Sequence, residues 1–183
     1  MNLVERVKGI LLSPKTEWPK IAAEPMTAQQ IYTGWVMILA AIGPLAMIIG
    51  FSGLGLSFSL RFAIANYITV LLVTALLALI VDALAPKFGG TKDFVESLKL
   101  TAFSYTAAHI AGVFHLLGTF GGPLTLIAMV YAWYTFYLGA PVLRKCSADK
   151  AVAFTVVVVI TGFLLGMLFG MVATRGGFAP PLR

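Results

Sequence analysis

The sequence predicts an all-α, polytopic integral membrane protein. It is read as one domain over 1–183, a five-helix transmembrane bundle with a short amphipathic N-terminal segment (1–30). Three observations predict this class. The chain is 60% hydrophobic and only 11% charged, whereas soluble domains are about a quarter charged. No Asp, Glu, Lys or Arg occurs in 25–60, 62–81, 100–143 or 151–174. About 20 apolar residues cross a hydrocarbon core of ~30 Å, so the 100–143 window is long enough to cross twice.

Taken in order, "NLVERVKGILL" places Leu3, Val4, Val7, Ile10 and Leu11 on one helical face, with Glu5, Arg6 and Lys8 opposite. Eleven residues are too few to span, and no cleavable signal core follows. An amphipathic helix lying in the interface is predicted. Ser13 followed by Pro14 marks the start of a second short helix. Trp18 and Ile21 give it an apolar side, and tryptophan favours the headgroup level. Thr27 with Gln30 three residues later is a capping-box start for the first span.

The spans follow at about 31–50, 62–85, 99–117, 123–143 and 151–173. "GTFGGP" (118–123) hinges the third on the fourth, with Pro123 opening the latter. The stretch 50–59 is either a plain loop or a re-entrant segment. Lys and Arg are unevenly shared between the two ends. Arg6, Lys8, Lys15 and Lys20, with the loops holding Lys87, Lys92 and Lys99 and then Arg144, Lys145 and Lys150, give ten. The opposite side has Arg61, Arg175 and Arg183. Positive loops stay inside. The prediction is a cytoplasmic (inner) membrane protein with its N-terminus cytoplasmic and its C-terminus external. The +6 charge then faces anionic headgroups, and no nucleic-acid partner is needed to explain it.

No catalytic pattern is present: no paired acids on one helix, no G-x-S-x-G, no P-loop, no H-E-x-x-H. Two histidines and the single Cys146 lack metal-ligand spacing. A non-enzymatic protein with no cofactor and no metal is expected. The candidate intramembrane polar site is His109, Tyr105, Tyr131, Tyr134 and Asp82. His109 lies ten residues past Lys99, which at ~1.5 Å per residue is about mid-membrane. The hinge sets it level with Ala132, beside the tyrosine edge of the fourth span. A hydrogen bond with that edge, Tyr131 or Tyr134, or with a backbone carbonyl would hold a structural His109. The other role for His109 and Asp82 is a transport path for an ion or small solute. Asp82 is expected to reach headgroups or a lysine such as Lys87 or Lys99. Gly162, Gly166 and Gly170 form a glycine row suited to close helix contact, within the bundle or in a homodimer. Gly43, Pro44 and Gly112 also mark close packing or a bend.

"RVKGILLSPKTEWPKIAAE", "YLGAPVLRKCSADKAVAFTVVVV" and the five-span hydropathy together resemble the prokaryotic branch of the Yip family. The most specific parts are the leader and Gly139, Ala140 and Pro141. The resemblance implies five helices, a cytoplasmic N-terminus and a role in organising membrane or partner proteins, as eukaryotic members do in trafficking and membrane shaping. The chain lacks those members' long soluble N-terminal region and their Asp-Leu-Tyr-Gly-Pro motif. GTPase binding is therefore not expected to carry over.

Overall fold

A computed structural model describes residues 2–173. Among these there is no strand, and five helices are long and apolar enough to cross a membrane. They run Ala28–Gly50, Leu56–Phe88, Phe94–Gly118, Gly122–Arg144 and Asp149–Val172. Two short helices precede them, α1 (Leu3–Leu12) and α2 (Pro14–Ala23). The third span lies against the first, second and fourth, and the fifth closes from the fourth back to the second. Arg175 and Arg183, counted above for orientation, lie outside the described residues.

Local chemistry sets the helix starts. The predicted capping box is formed: Gln30 donates its backbone N–H to Thr27 Oγ1 at 3.2 Å, and Thr27 N–H reaches Gln30 Oε1 at 2.9 Å. The first span therefore begins at Ala28, a little earlier than hydropathy alone placed it. Asp93 caps the third span by accepting Glu96 N–H at 3.1 Å, which moves its start from the predicted 99 to Phe94. The second span starts at Leu56 and includes Arg61, whose Nε donates to the Ser57 carbonyl at 3.2 Å. The stretch 50–59 is thus a short turn through Gly55 (φ 100°) followed by helix. Ser13 makes no side-chain cap, although Pro14 does open α2.

The first span is irregular. It passes through a π-helical turn at Tyr32–Val36 and turns at Ala41 before Ile42–Gly50. Pro44 has no N–H to return to the preceding turn, which accounts for the break. The break aims Gly43 at Gly112 on the third span. A Cβ added to Gly112 would sit 2.7 Å from Gly43 Cα and 2.8 Å from its nitrogen. Two helix backbones meet there, as small residues permit in lipid.

The glycine row of the fifth span behaves otherwise. Gly162 would meet only Tyr105 Oη at 3.4 Å and Leu77, and Gly166 and Gly170 meet nothing within 4 Å. Inside the chain the row makes no close backbone contact, so of the two expected contacts the one within the bundle is not made. The fifth span is the most lightly packed of the five, with 11% of its window buried. Spacing alone could not say whether the face carrying the row met a backbone or a void.

The packed core sits toward the α1–α2 end, around Trp18, Trp35, Phe103, Phe136 and Phe154. Trp35 and Phe103 pack with ring centroids 4.6 Å apart, within the range of favourable aromatic pairs. Gly112→Val should destabilise the fold by about 1–3 kcal/mol through overpacking, while Gly170→Val should leave thermal unfolding in detergent unchanged. Equal unfolding temperatures for the two variants would show that the Gly43–Gly112 crossing is not tight.

Candidate functional site

The polar residues fall into two separate groups. At the α1–α2 end, Asp82 near the close of the second span accepts from Asp93 N–H at 2.7 Å, Ser97 Oγ at 3.3 Å and Arg144 Nη2 at 3.2 Å. Arg144 is fully buried, and its Nη1 also donates to the Asp93 carbonyl at 2.6 Å. Its Nη2 reaches the Thr91 carbonyl as well. Asp82 was expected to reach headgroups or a lysine such as Lys87 or Lys99, and the cation it meets in the fold is Arg144. Lys99 instead donates to Glu96 at 2.7 Å and to the Glu24 carbonyl at 2.9 Å, and Lys87 is exposed. A guanidinium's several donors can serve one carboxylate and two carbonyls at once, which an ammonium at the rim does less well.

Helices α1 and α2 are fastened to the same end. Arg6 bridges Glu17 at 2.7 Å and also pairs with Glu24, and Lys20 meets Glu17 at 3.0 Å. Trp18 is buried against the bundle. Its Nε1 donates to the Thr135 carbonyl at 3.0 Å. Its ring lies over Gly139, where a Cβ would come within 2.6 Å of the indole. Of the predicted apolar face, Ile10 is buried and Leu3 and Val7 pack on the core. Leu11 is half-buried, whereas Val4 is exposed.

The second group lies between the spans. All five spans contribute to the wall of a cavity of about 750 Å³. Its polar or polar-tipped lining includes His109, His115, Tyr105, Asn66, Trp133 and several threonines such as Thr69 and Thr125, among apolar residues such as Leu77 and Val159. His109 Nε2 is buried and has no hydrogen-bond partner. The predicted bond from the tyrosine edge is not made. Tyr131 Oη donates to the Leu11 carbonyl at 2.8 Å, and Tyr134 is exposed. At helical spacing, Tyr131 and Trp133 lie on opposite flanks of the buried Ala132. The level inferred from the hinge therefore did not fix which flank faced His109.

Of the five predicted site residues, the cavity brings together His109 and Tyr105, and not Asp82, Tyr131 or Tyr134. Asn66, Thr69 and Thr125 were missed. Asn66 is the only amide in the charge-free 62–81 window, and that was a legible signal. Arg144 was counted only as a loop charge. Among the described residues no three of His, Cys, Asp or Glu gather as a metal site.

Cys146 follows Arg144 at the end of the fourth span and is buried. Burial pushes its thiol above the ordinary range, while nearby Arg144 pulls the other way. A raised value means less thiolate at any given pH, so alkylation of the folded protein should be slow near neutrality and accelerate only in more alkaline solution. Asp82→Asn leaves Arg144 buried with less compensation. It should destabilise by on the order of 3 kcal/mol and speed Cys146 alkylation at neutral pH. An unchanged alkylation rate and melting temperature would remove the pair from any structural role.

Residues 8–170 match the family model described as Yip1 domain. No curated protein and no solved structure matches the chain.

Proposed function

The chain belongs to the Yip1 domain family, and from that premise we propose that this integral membrane protein is non-enzymatic and organises lipid and membrane partners through its basic end. The N-terminus is cytoplasmic in this reading and the membrane is the inner one, in keeping with the lysine bias and the family resemblance.

One observation carries the proposal. Most acids of this end are paired inside the fold, whereas of its lysines only Lys20 and Lys99 are. Asp82, Glu17, Glu24 and Glu96 each engage a cation within the fold. Lys8, Lys15, Lys87, Lys92, Lys145 and Lys150 remain exposed, against Glu5, Asp93 and Asp149 among exposed acids. The outcome is a rigid base with a net positive surface at headgroup height. Each lysine near an anionic leaflet contributes about 1 kcal/mol of attraction. Attraction of this kind gathers anionic lipid without any reacting group, and it suits a membrane-shaping role.

Replacing Lys87, Lys92, Lys145 and Lys150 together by Gln should lower the phosphatidylglycerol that co-purifies from mixed phosphatidylglycerol and phosphatidylcholine micelles. The wild-type enrichment should itself fall as salt rises. Equal enrichment in the quadruple variant would overturn the reading. For orientation, a reporter fused after Arg183 should behave as external and one within 89–92 as cytoplasmic. A cytoplasmic C-terminus would break that assignment.

A further inference from the structure

The cavity has a chemistry of its own. Its lining includes no Asp, Glu, Lys or Arg. Its polar groups are hydroxyls, an amide, an indole and two imidazoles, set in an apolar wall, and of the two imidazoles His109 is the one with a buried, unpartnered nitrogen. A volume of about 750 Å³ falls in the range of sites that hold one small molecule, which runs from roughly 300 to 1,000 Å³. At this depth a charged headgroup would be stripped of water with no countercharge to meet it. A single hydrogen-bonding oxygen, by contrast, has a place to go, because His109 Nε2 is buried without a partner.

We infer that the cavity binds one uncharged lipid, a long hydrocarbon chain ending in a hydroxyl or carbonyl oxygen, with its head at His109 and Tyr105. The chain would run beside Leu77, Val159 and Met167. Room for it comes from the fifth span, where Gly166 lines the cavity and faces open space. A larger residue in the row would occupy that space. The glycines here keep a volume free, and do not draw two backbones together. The site is independent of the basic end, since Asp82 and the exposed lysines lie outside its lining.

The test is photolabelling of the full chain in neutral detergent with oleyl alcohol carrying a mid-chain diazirine, mapped by mass spectrometry. Label is expected on the inward residues of 105–112 and 159–167. Unlabelled oleyl alcohol should compete at least about tenfold better than oleyl sulfate, which has the same chain and a fixed negative head. Gly166→Phe should abolish labelling while its unfolding temperature stays at or above that of the wild type. His109→Leu should keep chain labelling but lose the preference for the alcohol over octadecene. Label confined to outward residues such as Ile160, Leu164 and Leu168 would overturn the proposal. So would equal competition by the sulfate, or wild-type labelling in a folded Gly166→Phe. Should Gly166→Phe not fold, Ala108→Leu fills the cavity from the third span, and the wild-type map decides on its own.

Discussion

A guanidinium with no solvent exposure fixes the geometry of one whole end of this bundle. Taking Arg144 out of water is expensive, and the fold tolerates it only because the charge and several donors are met together. Asp82 supplies the countercharge from the second span, and the Thr91 and Asp93 carbonyls supply acceptors from the loop before the third. The loop is consequently wound against the end of the fourth span, and Gly90 lies against the Arg144 carbonyl where a Cβ would not fit. Three spans are thereby set at one height. Helices α1 and α2 then have a defined floor, held by Lys99 on the Glu24 carbonyl and Trp18 on the Thr135 carbonyl.

The part of the bundle around the cavity is built on a different principle. In lipid, helices gain nothing from the hydrophobic effect by meeting each other, so contact rests on close packing and on satisfied polar groups. Close packing is achieved at one seam, Gly43 on Gly112 and Gly50 on the His115 carbonyl. Away from that seam the spans part around the cavity. The polar groups are thus concentrated where the backbone is tied, and the volume is left where it is not.

Much of the architecture was legible in the sequence, because membrane burial writes itself as long charge-free windows. The five spans, the capping box at Thr27 and the proline break at Gly43–Pro44 follow from local chemistry that tertiary contacts do not override. What the sequence could not show was direction around a helix axis. His109 and the fourth span were set at matching depth, yet Tyr131 turned to the Leu11 carbonyl and Trp133 to the cavity. The same ambiguity applies to the glycine row, whose spacing is identical whether it faces a backbone or a void. Trp18 illustrates a related point: its contacts are a carbonyl acceptor and a glycine-floored slot, both supplied by residues more than a hundred positions away.

The coexistence of a tight base and an open cavity has a physical logic particular to bilayers. In a water-soluble core a void forfeits contacts that nothing replaces, and stability falls with its volume. A void bordered by a lightly packed span in lipid can be filled by lipid, so the loss of dispersion is returned by whatever hydrocarbon enters. The polar members of the wall are not compensated that way. A buried nitrogen without a partner costs about 1–3 kcal/mol, and hydrocarbon cannot relieve it. His109 is therefore the part of the wall with an unmet polar atom: any chain fills the apolar volume, but one bearing an oxygen also satisfies the imidazole. Selectivity in such a site comes from a small polar deficit inside a tolerant apolar space, and the ion-paired base keeps that deficit in place without taking part in it.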